Sequence, residues 1–341
     1  MKEALFYEKL PNNKVKCTLC PHNCIISDGN RGICRVRINH KGILYSEVYN
    51  KISSISKDPI EKKPLYHFYP GRNILSLGSV GCNLQCEFCQ NWEISQTTVN
   101  DFHYIRNINS DEIIQLAISD KNNIGIAYTY NEPIVWFEFM LEIAKKAKKV
   151  NLKNVMVTNA FINRKPLEMI LPYIDAFSID LKAFTNDFYK KITHSDLQPV
   201  KDNIKFLSKN NKHIELTNLV IPTLNDDVEV FEDMVKWISN EIGENTVLHT
   251  SRYFPMYKLK IEATPIDKLL RLFEIAKQHL NYVYLGNVSL TDGENTICDN
   301  CGKTVITRQR YFVQTNGIDK EGKCKYCGNK VVEVHHKVSK L

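Results

Sequence analysis

Two periods of apolar and polar residues alternate along the middle of the chain. Short apolar runs at residues 74–80, 124–130, 154–159, 176–181, 214–221, 247–254 and 282–286 read as strands. Between them lie stretches with helical spacing. Residues 133–149 put Ile134, Phe137, Met140, Leu141 and Ile143 on one broad apolar face, ahead of the lysine-rich run 145–149. Residues 265–280 do the same with Ile266, Leu269, Leu270, Leu272, Phe273 and Ile275, and Pro265 suits a helix's first turn. Repeated β–α units imply a parallel sheet with right-handed crossovers. A doubly wound sheet and a barrel both fit that alternation. What decides between them is that polar motifs follow the strand-like runs: Gly81-Cys82, Tyr130-Asn131-Glu132, Thr158-Asn159, Asp180-Leu181-Lys182 and Thr217-Asn218. A barrel gathers all its strand C-termini around one mouth. The expected fold is therefore α/β, a partial (βα)6 TIM-like barrel over residues 71–290.

The flanks differ from this core. Residues 1–70 are rich in Cys, Gly and basic residues, with short strand-like pieces such as 42–48, and end in Pro64 and Pro70-Gly71. Residues 291–341 open near Asp292-Gly293 and are dominated by paired cysteines. Each flank is expected to be a small metal-binding module. No internal repeat or low-complexity tract is visible.

Composition adds three constraints. With 43% hydrophobic and 24% charged residues the chain is an ordinary globular one, which argues against wholesale disorder. No stretch approaches 18 uninterrupted apolar residues, and the N-terminus lacks the apolar core of a signal peptide. A cytoplasmic protein without a membrane partner is expected. The net charge of +7 is carried by residues 1–72, with thirteen Lys and Arg against six Asp and Glu. A basic appendage suits RNA, an acidic partner or simply a solvated surface, and charge alone does not choose.

Eleven cysteines fall into sets of four, three and four. Disulfide pairing would leave one over, so metal-bound thiolates in a reducing compartment explain the count better. Four thiolates close a metal's coordination sphere, whereas three leave one position open. The open set is Cys82, Cys86 and Cys89, spaced C-x3-C-x2-C directly after an apolar strand. Gly81 supplies torsional freedom at the entry of this short loop. Three irons of a cubane would be held and the fourth left free. A zinc knuckle short of one ligand is the competing reading, but the next histidine, His103, is distant in sequence.

The stretch Cys82-Asn-Leu-Gln-Cys86-Glu-Phe88-Cys89-Gln-Asn, at the end of a first strand, resembles the radical S-adenosylmethionine (SAM) superfamily, near the activating enzymes of glycyl-radical proteins such as pyruvate formate-lyase. Cys17-Thr-Leu-Cys20-Pro-His-Asn-Cys24, Gly32-Ile-Cys34-Arg-Val-Arg37, Asp58-Pro-Ile-Glu-Lys-Lys-Pro-Leu-Tyr-His67-Phe and Cys89-Gln-Asn-Trp92-Glu-Ile-Ser-Gln96 are similar, in that order, to the AmmeMemoRadiSam-system radical SAM enzymes. The resemblance runs over nearly the whole chain. It implies a [4Fe–4S] cluster on Cys82, Cys86 and Cys89 whose fourth iron is chelated by SAM. It implies an oxidoreductase-like enzyme that cleaves SAM to a 5′-deoxyadenosyl radical for hydrogen abstraction, oxygen-sensitive and working anaerobically. It also implies a protein reductant such as flavodoxin or ferredoxin, with Memo-like and AMMECR-type proteins as partners.

The same resemblance assigns the SAM site. Asn131-Glu132 corresponds in place to the superfamily's Gly-Gly-Glu motif, with Glu132 accepting from SAM's amino group; Tyr130-Asn131 stand where the glycines usually sit. Asn131 could instead cap a helix that has Pro133 in its first turn. Thr158-Asn159 resembles the Thr-Asn of activating enzymes and Asp180-Leu181-Lys182 their Asp-Leu-Lys, where the lysine meets SAM's carboxylate; a structural Asp–Lys pair is the alternative. Thr217-Asn218 is a further candidate contact, and Phe88 would shield the adenine or the cluster. Tyr128, Tyr130, Tyr253 and Tyr257 either line the substrate cavity or pack in the core.

Cys298-x2-Cys301-Gly and Cys324-x2-Cys327-Gly, 22 residues apart, read as the two knuckles of a zinc ribbon. Structural zinc contributes roughly 10–16 kcal/mol of apparent binding energy, a staple that so small a segment needs. Cys17, Cys20, Cys24 and Cys34 are spaced C-x2-C-x3-C-x9-C, for Zn2+ or a second, fully ligated [4Fe–4S] cluster. The spacing differs from the ferredoxin run, which favours zinc. His22 could replace a thiolate, although four make that unnecessary. The substrate divides between a glycine in a partner protein and RNA held by the flanking modules. A metal-stapled nucleic-acid-binding or scaffold protein without turnover would explain the flanks, but not a three-thiolate set at a barrel mouth.

Overall fold

The seven apolar runs of the middle region are seven parallel strands, and an eighth joins them from the N-terminal flank. The structure is a computed structural model that describes residues 1–288, 290 and 293–334; Asp292, taken above as the opening of the last module, lies outside the described residues, as do 335–341. The central sheet comprises β1 (Ser54–Pro59), β2 (Asn73–Gly78), β3 (Asn123–Tyr128), β4 (Lys153–Thr158), β5 (Ala176–Asp180), β6 (His213–Val220), β7 (Val247–Arg252) and β8 (Val283–Gly286). Spatial order equals chain order. β1 runs antiparallel to β2, and every later neighbour is parallel.

Among the described residues six helices of seven residues or more connect the parallel strands: α1 (Ser110–Ile118), α2 (Phe137–Lys149), α3 (Arg164–Ile170), α4 (Leu197–Lys209), α5 (Val228–Glu241) and α6 (Ile266–Lys277). Because each crossover steps to the next position in the same direction, right-handed crossovers place all six on one face. A doubly wound sheet would reverse direction partway. The result is six βα units and a final strand, curled as a partial TIM-like barrel. The expected helix over 133–149 starts later than its pattern suggests. Pro133–Trp136 form a 3-10 turn, and α2 follows with Phe137, Met140, Leu141 and Ile143 buried.

The N-terminal flank folds as two three-stranded antiparallel sheets, Lys2–Glu3 with Ile43–Ser46 and Arg37–His40, and Tyr7–Leu10 with Lys14–Cys17 and Ile25–Ile26. Its Val15, Ile26, Val36 and Leu44 share one core with Leu77, Phe137 and Met140 of the barrel. A buried ion pair fastens this contact: the Arg37 guanidinium meets the Glu138 carboxylate on α2, and Leu5 N also donates to Glu138 at 2.8 Å. Part of the basic excess is thus structural. Arg37 pairs with Glu138, Arg31 with Glu47, and Lys62 and Lys63 with Asp58.

The C-terminal flank has strands Thr296–Ile297, Thr304–Gln309 and Phe312–Gln314, and packs Val305, Ile306, Val331 and Val332 against Val247, Tyr282 and Tyr284 at the lower end of the barrel. Buried His67 joins the two. Its Nδ1 donates to the Val331 carbonyl at 2.8 Å, and its Nε2 accepts from Tyr284 Oη at 2.6 Å. Among the described residues, no helix is long and apolar enough to cross a membrane.

Removing one partner of a buried ion pair leaves the other charge uncompensated. Glu138→Ala should destabilise the metal-loaded chain by about 3–5 kcal/mol in urea unfolding, and adding Arg37→Met should recover most of that loss. Burial pushes the His67 imidazole down from 6.5 to about 4. The neutral ring is the form that fits, so its contribution is complete above pH 6.5 and is lost as pH falls toward 4. Thermal unfolding between those values should show an acid limb that flattens in His67→Phe.

Candidate active site

The loop between β2 and the short helical turn Trp92–Ser95 carries Cys82, Cys86 and Cys89. Gly81 opens it at φ +84°, and a Cβ there would come within 2.5 Å of the Cys34 carbonyl oxygen, so only glycine fits. Beyond that point the loop is held from the rim of the barrel. After β3, Asn131 accepts from Ser79 N at 2.9 Å and donates to the Gly81 carbonyl at 2.8 Å. After β4, the Phe161 carbonyl accepts from Asn83 Nδ2 at 2.7 Å, and Asn159 Nδ2 donates to Asn83 Oδ1 at 2.9 Å. After β5, the Thr193 and Ile192 carbonyls accept from Gln85 N and Glu87 N. After β7, Lys258 N and Leu259 N both donate to the Glu87 carbonyl. Four rim segments therefore converge on one loop.

Glu132 lies at the centre of this rim. Its carboxylate accepts from Thr158 Oγ1 at 2.7 Å, Asn159 N at 2.8 Å and Ile134 N at 3.3 Å. Burial pushes it up to about 7, against the lowering effect of those donors. Among the described residues no cation pairs with it, and a buried carboxylate in that position favours a cationic ligand. Lys182 Nζ donates to Asp180 Oδ2 at 2.7 Å and stands 5.8 Å over the Phe88 ring. Asp180 and the Cys86 thiol hold the lysine well above its ordinary value, despite burial that opposes it. Phe88 is buried, 6.1 Å from the Phe188 ring.

The remaining sequence candidates divide. Among the described residues the Thr217 hydroxyl and Asn218 Oδ1 are buried without a partner, on opposite faces of β6; Thr217, in register with Asp180, suits a polar ligand, and Asn218 Nδ2 is used on the Leu181 carbonyl at 2.8 Å. Asn131 spends its amide on the cysteine loop. It does not provide the N-cap, since the cap of the Pro133 turn is Glu132. Tyr128 is a core residue with its hydroxyl on Asn154, and Tyr253 donates to the Leu259 carbonyl. Tyr130 turns away to Asp58 at 2.5 Å, its backbone in the left-handed region at φ 69°. Tyr257 stacks on Trp92 at the rim, 5.1 Å between ring centroids. Sequence reasoning missed Asn83, Tyr189, whose hydroxyl accepts from Lys182 N at 3.1 Å, and Asn225, which donates to the Lys182 carbonyl at 2.7 Å. An asparagine inside the cysteine spacing was the one available signal.

All eleven cysteines are free thiols. Among the described residues, only Cys298, Cys301, Cys324 and Cys327 bring all their sulfurs within 4.8 Å of one another. Their closest pairs, Cys298–Cys327 and Cys301–Cys324, are 3.6 Å apart. That matches the sulfur edge of about 3.8 Å expected around one tetrahedral ion with metal–sulfur bonds of about 2.3 Å. Cys82, Cys86 and Cys89 do not form such a close group. A cleft of about 300 Å³ lies elsewhere, lined by His67, Lys212, His213 and Val331 at the lower end of the barrel. It shares no lining residue with the rim.

Residues 77–238 match the family model described as the radical SAM superfamily. An uncharacterized protein of Methanocaldococcus jannaschii is 44% identical over 334 residues, covering 97% of this chain and 99% of that one. The pyruvate formate-lyase-activating enzyme of Clostridium pasteurianum is 24% identical over 219 residues, 59% of this chain and 88% of the relative. The crystal structure of Streptococcus suis SuiB bound to S-adenosylmethionine superposes with a TM-score of 0.50 at 14% identity, over 64% of this chain and 51% of that chain, a likeness of fold.

Gly81→Ala should displace the cysteine loop. The expected outcome, read by iron and sulfide analysis after anaerobic gel filtration, is a chain that folds but retains less than half the wild-type iron at the central site.

Proposed function

Since the chain belongs to the radical SAM superfamily, we propose that it is an enzyme that binds SAM at a [4Fe–4S] cluster on Cys82, Cys86 and Cys89. When bound, the cluster supplies one electron that cleaves SAM to methionine and a 5′-deoxyadenosyl radical, which takes a hydrogen atom from the substrate. The observation that carries this reading is the convergence of four rim segments on a loop with three thiols, beside a buried carboxylate that lacks a cation.

The chain's own residues then divide the work. Glu132 accepts from SAM's amino group, with Thr158 and the Asn159 amide fixing its carboxylate in place. Lys182, oriented by Asp180, Tyr189 and Asn225, meets the carboxylate of SAM. Asn131 and Asn83 position the thiols and contact no ligand. Phe88 keeps water from the adenine side, and the Thr217 hydroxyl, in register with Asp180, is free for its polar edge. A protein reductant delivers the electron. Similarity to the pyruvate formate-lyase-activating enzyme supports a glycine Cα–H in a partner protein as the bond attacked. At the other end of the chain, the four sulfurs at 3.6 Å spacing support structural Zn2+.

With SAM and dithionite under anaerobic conditions, the reconstituted chain should form 5′-deoxyadenosine, and Cys86→Ala should form none. Glu132→Gln keeps the shape but removes the charge, so it should weaken SAM binding tenfold or more, about 1.4 kcal/mol, while the cluster stays loaded. Wild-type affinity in Glu132→Gln would remove the carboxylate from the SAM site.

A further inference from the structure

The four N-terminal cysteines share one cavity. Cys17, Cys20, Cys24 and Cys34 line it together with Leu19, Ile26, Ile33, Ile134 and Val135, so its wall is largely apolar. Cys17, Cys20 and Cys34 are buried, and all four side chains belong to a part of the molecule that packs in the barrel's own core. Arg37 also lines this cavity. It is 1% exposed, and although its second guanidinium nitrogen pairs with Glu138 and the Leu5 carbonyl, its Nε and other terminal nitrogen have no partner. Unspent donors on a buried cation favour an anion beside them. Four thiolates around a metal centre supply that anion.

The spacing of the sulfurs then chooses the centre. In the C-terminal set the sulfurs stand close enough to surround a single ion. No three of the N-terminal sulfurs come within 4.8 Å of one another, although all four face the same cavity. Cys82, Cys86 and Cys89 likewise form no such close group. One tetrahedral ion draws its sulfurs to about 3.8 Å of one another, which the N-terminal set does not show, whereas a cubane carries each thiol on its own iron and leaves the sulfurs wider. The sequence spacing favoured zinc here; the side-chain geometry favours the cluster.

We propose that Cys17, Cys20, Cys24 and Cys34 bind a second [4Fe–4S] cluster. With every iron ligated by protein it offers no site to SAM, and its chemistry is restricted to one-electron exchange. It would lie against the central loop: Asn83, next to Cys82, lines the same cavity, and His22 Nε2 donates to the Asn83 carbonyl at 2.8 Å. The proposal goes beyond the SAM reading and does not depend on it.

The test is metal and sulfide analysis of the full chain, reconstituted and purified without oxygen. Wild type should hold about eight iron and eight sulfide with a single zinc. A Cys82→Ala, Cys86→Ala, Cys89→Ala variant has no SAM site and should keep about four iron and four sulfide, with a reduced EPR signal that SAM does not move. Cys20→Ser with Cys24→Ser should lose the complementary half and keep the SAM-responsive signal. If those variants fail to fold, the wild-type count still decides. Wild type with about four iron and two zinc, or a triple variant without iron, would overturn the proposal.

Discussion

The central loop has three thiols to hold and almost no secondary structure of its own. From Ser79 to Asn91 its amides and carbonyls have no ladder to join, and buried backbone groups must find partners. The barrel supplies them from the segments after β3, β5 and β7, and the segment after β4 holds the loop through the Asn83 side chain. Parallel strands in chain order put those segments on one rim, so the topology that forms the sheet also holds the cysteines. Gly81 is where this constraint is tightest, wedged against the Cys34 carbonyl of the N-terminal flank. The flank is therefore part of the site's support, clamped to α2 through Arg37 and Glu138.

Electrostatics follow the same arrangement. Among the described residues Glu132 is buried without a cation, while Lys182 is already paired with Asp180 two residues away. One end of the rim thus attracts positive charge and the other presents it. A ligand that brings N–H donors and a positive charge to one end and a carboxylate to the other complements both. The three cysteine sets differ in the same physical terms. Among the described residues one is drawn tight enough for a single ion, and the other two are not.

Much of this was legible in the sequence. The seven apolar runs and the polar residues that follow them identified the strands and the rim, because strand ends in a parallel barrel share one side. Other features were not. β1 reads Ser-Ile-Ser-Lys-Asp-Pro, an edge strand with exposed polar positions and no apolar periodicity to mark it. Tyr130 occupies a left-handed position where the superfamily motif has glycine, at a cost offset by its hydroxyl on Asp58 and its ring against Gly78. Asn131 resembled a ligand contact or a cap; the cap is Glu132, and the Asn131 amide clamps Ser79 and Gly81. The link from His22 to Asn83 spans 61 residues, which no local pattern could reveal.

The central claim is that Cys82, Cys86 and Cys89 would hold a cluster with one open iron, to which SAM would bind through its amino and carboxylate groups. Electron–nuclear double resonance on the reduced protein with SAM labelled at the amino nitrogen and carboxylate oxygen tests it directly. The account predicts hyperfine coupling of both labels to the central cluster, lost in Cys86→Ala. An intact, reduced cluster with SAM bound and neither label coupled would contradict it.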